Sequence, residues 1–352
     1  MEIHRKQLVS TLVLTSALIA AVATFLIPPS LPAQTQAQPK GIDPALLAKA
    51  MAGDANAQYN VGVLYDNGQG VQQDHAEATR WFRKAAEQGN ATAQFNLGVA
   101  YETGSQGVPR DYTKAVKWFY KAAEQGDAFN EFYLGLVYHN GVDVPKNEVE
   151  AVKWWRKAAE QGNPPAQYHL GLAYSNGEGV PQDYTQAAVW YRKAAEQGHA
   201  TAQYYLGLMY ARGEGVPQDD AQAVIWYRKA AEQGLALAQN DVAFAYLNGK
   251  GVLQDYTQAA TWFRKAAEQD NANAQYNLGV LYYTGDGVPQ DFSESYFWLN
   301  IAAPGMLGNN TQKWVENYRD AAASKLTPPI LLQAQERARK WFEDHHVKAN
   351  PQ

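Results

Sequence analysis

The sequence predicts an all-α solenoid of seven repeated helix pairs, and three observations lead to it. The pentapeptide AAEQG recurs at 85–89, 122–126, 158–162, 194–198 and 230–234, and as AAEQD at 266–270. Successive copies lie 36 or 37 residues apart, a period typical of arrays in which each unit packs on its neighbours. Each period also contains two stretches with helical spacing of apolar residues, joined by a Gly-rich link.

Composition narrows the possible functions. The chain has 352 residues, of which 46% are hydrophobic and 18% charged, so it can form a folded core. The net charge of −5 argues against nucleic acid as the main ligand, because such a ligand requires a basic surface. There is no cysteine, which excludes disulfides, thiolate chemistry and cysteine-ligated metals.

The N-terminus predicts export. A basic residue group, His4 to Lys6, precedes an uncharged stretch at 8–27 that ends before two prolines. Residues 1–37 are therefore interpreted as a Sec-type signal peptide. The alternative is an uncleaved membrane anchor at 8–27, because 20 apolar residues can span a bilayer. Either way we expect the repeats outside the cytoplasm: periplasmic or secreted, or held at the inner membrane.

A linker and a capping helix are predicted at 38–52. Asp43 followed by Pro44 is typical of a helix start, in which Asp caps the backbone and Pro occupies the first helical position. We expect this short helix to end near Met51.

Seven repeats follow, and each contains a first helix (A) and a second helix (B). In repeat one the A helix is AQYNVGVLYDNG and the B helix is HAEATRWFRKAAEQ. The predicted repeat boundaries are 53–88, 89–125, 126–161, 162–197, 198–233, 234–269 and 270–305.

Caps and stops support this division. Asp74 with Glu77 three residues later forms a capping box at the start of a B helix. The Gly of AAEQG lies where the B helix should end in a left-handed residue, so Asp270 must adopt that geometry or end its helix differently. The Glu and Gln of AAEQG are interpreted as solvated helix formers.

Glycines within the A helices predict close packing. Glycine costs about 1 kcal/mol relative to alanine inside a helix, so its repetition needs a reason. We expect the alanine pair of the B helix to approach at these positions, with a tryptophan in each repeat filling the space alongside. The glycines are Gly62, Gly98, Gly135, Gly171, Gly207 and Gly279.

After residue 305 the repeat fades, and 306–352 is predicted to form C-terminal capping helices. One helix is expected from Thr311 to Lys325. A second should begin at Thr327, where Pro follows at the first helical position, and end near His345.

The repeat pattern resembles a known family. Residues Ala166 to Gly198 fit AxYxLGxxYxxGxGVxxDxxxAxxWYxxAAxxG, which resembles the Sel1-like repeat of the tetratricopeptide-like superfamily. The resemblance implies a right-handed superhelix with the A helices lining a concave face. It also implies that the protein is an adaptor, because bacterial members of the family are often exported adaptors that act in signalling, envelope assembly or host contact.

No catalytic, cofactor-binding or metal-binding residue is predicted. The GxG links read as turns, since an acidic cap at the following helix would repel phosphate. The adjacent pair His345 and His346 diverges on a helix, and neither HExxH, a nucleophile elbow nor Ser-x-x-Lys occurs. Because some relatives are described as penicillin-binding or β-lactamase-like, an envelope hydrolase or β-lactam-interacting protein is the alternative function.

The candidate binding residues lie where the A helices differ among repeats. The position after the first aromatic varies while the framework around it stays constant, and variation on a rigid scaffold is where specificity can reside. Asn side chains there can pair with a peptide backbone. The alternative is that these are ordinary solvated residues. The seven candidates are Asn60, Asn96, Tyr133, His169, Tyr205, Asp241 and Asn277.

These observations predict an exported, non-catalytic interaction scaffold that is a monomer. We expect it to bind a protein or peptide segment along the concave A-helix stripe. A third hypothesis, a secreted factor directed at a host, differs from this one only in where the protein is delivered.

Overall fold

A computed structural model describes residues 41–104, 108–141, 144–305 and 309–346. Within these ranges the regular structure is entirely helical, as predicted. The predicted signal peptide or anchor at 1–37 lies outside the described residues.

Helix α1 spans Pro44–Met51 and begins at the predicted cap, because Asp43 accepts a hydrogen bond from the Ala45 N–H. The A helices of the seven repeats are α2 (Ala55–Asn67), α4 (Ala91–Thr103), α6 (Ala128–Asn140), α8 (Pro164–Asn176), α10 (Ala200–Arg212), α12 (Ala236–Asn248) and α14 (Ala272–Thr284). The B helices are α3 (His75–Glu87), α5 (Tyr112–Ala123), α7 (Glu148–Glu160), α9 (Tyr184–Glu196), α11 (Asp220–Glu232), α13 (Tyr256–Ala267) and α15 (Phe292–Ala302).

The chain consists of two compact units, one that ends at Gln88 and one that begins at Gly89. In the first, α1 packs on α2, which packs on α3. In the second, each helix from α4 to α15 packs on the next, in the manner of an α-solenoid. A short 3-10 turn (Ala303–Gly305), α16 (Asn309–Ala323) and α17 (Pro328–His346) follow, and both helices pack against α15.

Asp270 takes the left-handed conformation that glycine provides in the five repeats with AAEQG, with φ of 61°. Its carboxylate also has a partner that glycine could not have, because Oδ1 accepts a hydrogen bond from the Trp341 indole at 3.1 Å. Trp341 belongs to α17, so the departure from AAEQG coincides with the docking of the final helix.

The mid-helix glycines permit close packing, but the predicted neighbour was wrong. A Cβ at Gly171 would lie 2.7 Å from the Tyr191 ring, and one at Gly135 would lie 2.4 Å from the Trp155 ring. The side chain that requires the space is therefore the bulky residue after the repeated tryptophan position, not the alanine pair.

The Gln of AAEQG is also more than a solvated helix former. In repeat five Gln233 donates to Oε1 of Gln203 at 2.7 Å. Gln203 is buried in α10 and donates in turn to the Ala195 carbonyl of the preceding repeat at 3.0 Å. The same pair of bonds recurs for Gln88 with Gln58, Gln197 with Gln167 and Gln269 with Gln239. The two glutamines thus connect A helix, B helix and the helix before them.

Glu131 replaces the buried glutamine in repeat three. Its side chain is 4% exposed and accepts from Gln161 at 2.7 Å. Burial raises the pKa of the Glu131 carboxyl, although Lys157 and the bond from Gln161 oppose the rise. When ionised, this side chain cannot donate to a carbonyl as the glutamines do.

We expect Glu131→Gln to increase the free energy of unfolding by about 1–2 kcal/mol at pH 7, because the amide can make both bonds. A raised pKa means that the parent gains stability from Glu131 as pH falls toward the ordinary Glu value of about 4.3. The advantage of the variant should therefore shrink between pH 7 and pH 4. Urea titrations of parent and variant at both pH values measure the difference in their free energies of unfolding. A difference that is larger at pH 4 than at pH 7 would contradict a raised pKa for Glu131.

In repeats four to seven the second glycine of the link meets the preceding repeat. A Cβ on Gly215 of repeat five would lie 2.1 Å from the carbonyl oxygen of Tyr184, at the start of α9 in repeat four. Gly179, Gly251 and Gly287 approach the preceding B helix in the same way. The GxG links are turns, as predicted, and in repeats four to seven their second glycine also contacts the preceding repeat.

Candidate binding surface

Each A helix presents one repeated face. Its second, sixth, ninth and twelfth residues are three or four apart and so lie on one side of the helix. We call this the A face and describe it for α4 to α14 of the second unit; α2 carries the corresponding positions within the first unit.

The predicted candidates occupy the sixth position, and the structure gives them unequal exposure. Asn60 on α2 is exposed, and Asn96 and Asn277 are half-buried. Tyr205 and Asp241 are also half-buried. Tyr133 and His169 are only 5% and 8% exposed, so little of either side chain can reach a partner.

Three of the candidates pack on the A helix of the preceding repeat. Tyr133 meets Phe95 with ring centroids 4.9 Å apart, and the Tyr133 hydroxyl donates to Glu102 at 2.8 Å. His169 meets Phe132 at 5.5 Å. Tyr205 meets Tyr168 at 5.9 Å. In repeats three to five the variable residue therefore joins neighbouring A helices.

Asp241 joins its neighbour through polar contacts. The carboxylate accepts from the Asn240 amide at 3.0 Å and from the Tyr204 hydroxyl of repeat five. Burial raises the pKa of Asp241, while these bonds and the nearby Arg212 oppose the rise. Repeat six has the buried Asn240 where other repeats have an aromatic, and Asp241 provides a polar group on the A face.

His169 is held neutral. Burial among Trp155, Phe132 and Tyr168 lowers its pKa to about 3. Since an ordinary histidine titrates near pH 6.5, His169 carries no charge at neutral pH and supplies no cationic contact to a ligand.

The ninth position was missed by the sequence reasoning, because its aliphatic residues look like core. All are half-buried except Leu136, which is buried. The available signal was their spacing of three from the variable sixth position, which places both on one face. The residues of this row in the second unit are Val99, Leu136, Leu172, Leu208, Phe244 and Val280.

The twelfth position changes character along the second unit. Glu102 and His139 near its start are polar, whereas Ala211, Leu247 and Tyr283 near its end are mostly apolar. At the second position of α12, Leu237 is 48% exposed. The A face of repeats five and six therefore carries partly exposed apolar side chains beside polar ones such as Asp241. In repeat seven Tyr283 packs against Tyr318 of α16, with ring centroids 5.5 Å apart.

None of the helices in the described ranges has the length and apolar composition needed to cross a membrane.

The family model for the Sel1 repeat matches seven segments of the chain: 55–90, 91–127, 131–163, 164–199, 200–235, 236–271 and 272–303. Together they cover more than half of the sequence. The chain belongs to the Sel1 repeat family. Sel1-repeat proteins generally mediate protein–protein interactions and are typically non-catalytic scaffolds.

Three solved structures are similar to the chain, and the first of them agrees with this assignment. A Sel1 repeat protein from Oxalobacter formigenes is 40% identical over 77% of this chain and 78% of its own, with a TM-score of 0.65. A protective antigen of uropathogenic Escherichia coli with the same repeat fold is 35% identical over 86% and 79%, with a TM-score of 0.42. An immunity protein from Pseudomonas aeruginosa is 22% identical over 68% and 88%, with a TM-score of 0.36. No curated protein matched the chain.

Proposed function

We propose that this Sel1 repeat protein is an exported, non-catalytic scaffold that binds an extended peptide or protein segment along its A face. The observation that carries the proposal is the ninth-position row, in which six successive A helices each contribute one aliphatic or aromatic side chain. Five of the six remain partly accessible to solvent.

A repeating row of this kind suits an extended segment. Apolar side chains of the segment would contact the ninth-position row, and burial of such area contributes about 25 cal/mol per Å². Flanking residues at the sixth and second positions would add directional bonds. Asn96 and Asn277 can each offer a donor and an acceptor to a peptide backbone.

Repeats five to seven are the preferred contact region in this proposal. Their second, ninth and twelfth positions include Leu237, Leu208, Phe244 and Leu247, all at least partly exposed. Leu208, Phe244 and Leu247 also pack on one core cluster, which holds the surface rigid. A rigid apolar surface loses little conformational entropy on binding, which favours affinity.

Export is the second part of the proposal and depends on the sequence of residues 1–37. Separation of cells into cytoplasm, periplasm, membrane and medium, with detection of the protein and its mass, tests it. A processed form in the periplasm or medium supports a cleaved signal peptide. A full-length form in the inner membrane indicates the anchor, and a cytoplasmic form contradicts export.

Two matched charge substitutions test the binding surface. Peptides would first be selected against the purified protein from a random display library, and their affinities measured by fluorescence anisotropy. We expect Leu237→Glu to weaken binding at least about tenfold, because a carboxylate would be desolvated against apolar side chains.

Ile225→Glu is the control. Ile225 is 47% exposed but lies on the B helix α11 of repeat five, so the substitution introduces the same charge at nearly the same exposure. The affinity of this variant for the selected peptide should stay within about twofold of that of the parent, because a surface substitution outside the contact region has little effect on the fold. Equal losses in both variants, or selection of no peptide, contradict the proposal.

A further inference from the structure

Three side chains from three segments converge between repeats three and four. His139 lies near the end of α6, Glu148 is the first residue of α7, and Glu178 lies in the link between α8 and α9. One ligand atom from each lies within 4.8 Å of those of the other two. The side chains of His139 and Glu148 are 22% and 19% exposed, so the group is largely shielded from water.

The Glu148 carboxylate already contacts both an imidazole and an ammonium group. His139 Nδ1 is 2.8 Å from Glu148 Oε2. Glu148 Oε1 is inaccessible to solvent and lies 2.8 Å from Lys146 Nζ. The Trp155 ring, 5.3 Å from the imidazole, adds an apolar neighbour.

At the corresponding junction between repeats five and six, a lysine ammonium group lies at this place. There Lys250 occupies the position of Glu178, and Asp220 occupies that of Glu148. Lys250 Nζ lies 3.1 Å from the Asp220 carboxylate. The backbone approach is the same at both junctions, since a Cβ on Gly179 or Gly251 would lie 2.2 or 2.3 Å from the carbonyl of Glu148 or Asp220.

Charge balance distinguishes the two junctions. Two carboxylates replace an acid–base pair between repeats three and four, and like charges this close repel. Lys146 supplies one positive charge from a side chain that is 59% exposed. A bound cation would offset the charge of the carboxylates, as Lys250 offsets that of Asp220 at the other junction.

We propose that His139, Glu148 and Glu178 bind a divalent transition-metal ion of the Zn²⁺ type. Imidazole nitrogen and carboxylate oxygen are the ligands that Zn²⁺ accepts in three-residue sites, with water in the fourth position. Donor atoms about 2.1 Å from one ion lie about 3.4 Å from each other, which requires only small movements from the observed group. The ion would connect repeats three and four and does not depend on binding at the A face.

Calorimetric titration of the metal-free purified protein with ZnCl₂ tests the site. We expect saturable binding that weakens at least about tenfold in Glu178→Gln, because one of three protein ligands loses its charge. Zn²⁺ should raise the midpoint temperature of thermal unfolding of the parent, because a ligand bound to the folded state stabilises it. The increase should be smaller for Glu178→Gln. His139→Gln should weaken binding similarly.

Glu214→Gln is the matched control, because Glu214 holds the same place in the next repeat but lies opposite Tyr184 instead of a carboxylate. It should bind Zn²⁺ as the parent does. Absence of saturable binding to the parent overturns the proposal. Parent-like affinity in Glu178→Gln also overturns it, because any bound Zn²⁺ would then lie elsewhere.

Discussion

Gly215→Ala should destabilise the second unit by about 2–5 kcal/mol. A non-glycine residue at φ of 68° costs about 1–2 kcal/mol. In addition, the new Cβ would lie 2.1 Å from the Tyr184 carbonyl oxygen, which is backbone and cannot rotate away. Relief requires repeats four and five to move apart, and the resulting loss of packing adds about 1–3 kcal/mol.

Gly234→Ala separates these two contributions. Its φ is 93°, but a Cβ there would meet nothing within 4 Å. It should therefore cost only about 1–2 kcal/mol. Urea unfolding followed by circular dichroism measures both variants. Equal destabilisation would mean that the second glycine of the link is needed for its conformation alone, and not for the contact between repeats.

Gln203→Met should lower the free energy of unfolding by about 1–3 kcal/mol, although the size of the side chain is nearly unchanged. The substitution leaves the Ala195 carbonyl and the Gln233 amide without the partner they have now, at 3.0 and 2.7 Å. The buried Ala195 carbonyl, once unsatisfied, costs about 1–3 kcal/mol, whereas the exposed Gln233 amide can bond to water instead.

The comparison is Gln218→Met in the same repeat. Gln218 donates to the Ala211 carbonyl at 3.1 Å, but this bond is exposed and lies within one repeat. Water can replace it, so the expected cost is below about 0.5 kcal/mol. A loss at Gln203 no larger than that at Gln218 would rule out the glutamine pair as a connection between helices.

The helices and their caps could be predicted because their causes are local. Asp43 and Asp74 accept hydrogen bonds from backbone groups two or three residues away, so residue types at short spacing identify the helix starts. The period in turn predicts that repeats stack, since a helix pair cannot bury its apolar face alone.

The contacts between helices were harder to predict because the partners are distant in sequence. Gln233 and Gln203 are 30 residues apart, and a glutamine near a helix end looks the same whether it faces water or another amide. Likewise, the glycine at 171 indicates a close neighbour but not that the neighbour is Tyr191.

For the candidate surface, too, the sequence predicts local features but not contacts between distant residues. Variation identified the sixth position, but variation alone does not distinguish a residue that meets a ligand from one that meets the next repeat, as Tyr133 and His169 do. The ninth-position row escaped notice because it varies little and is apolar. Exposure, which only the folded chain defines, separates Leu208 and Phe244 from true core residues.

Photo-crosslinking of a bound peptide tests the proposed function most directly. A selected peptide carrying a benzophenone at each position in turn would be irradiated on the protein and the linked residues mapped by mass spectrometry. We predict links to α10, α12 and α14, concentrated at the second, sixth, ninth and twelfth residues. Links concentrated on the B helices α9, α11 and α13 would contradict binding at the A face.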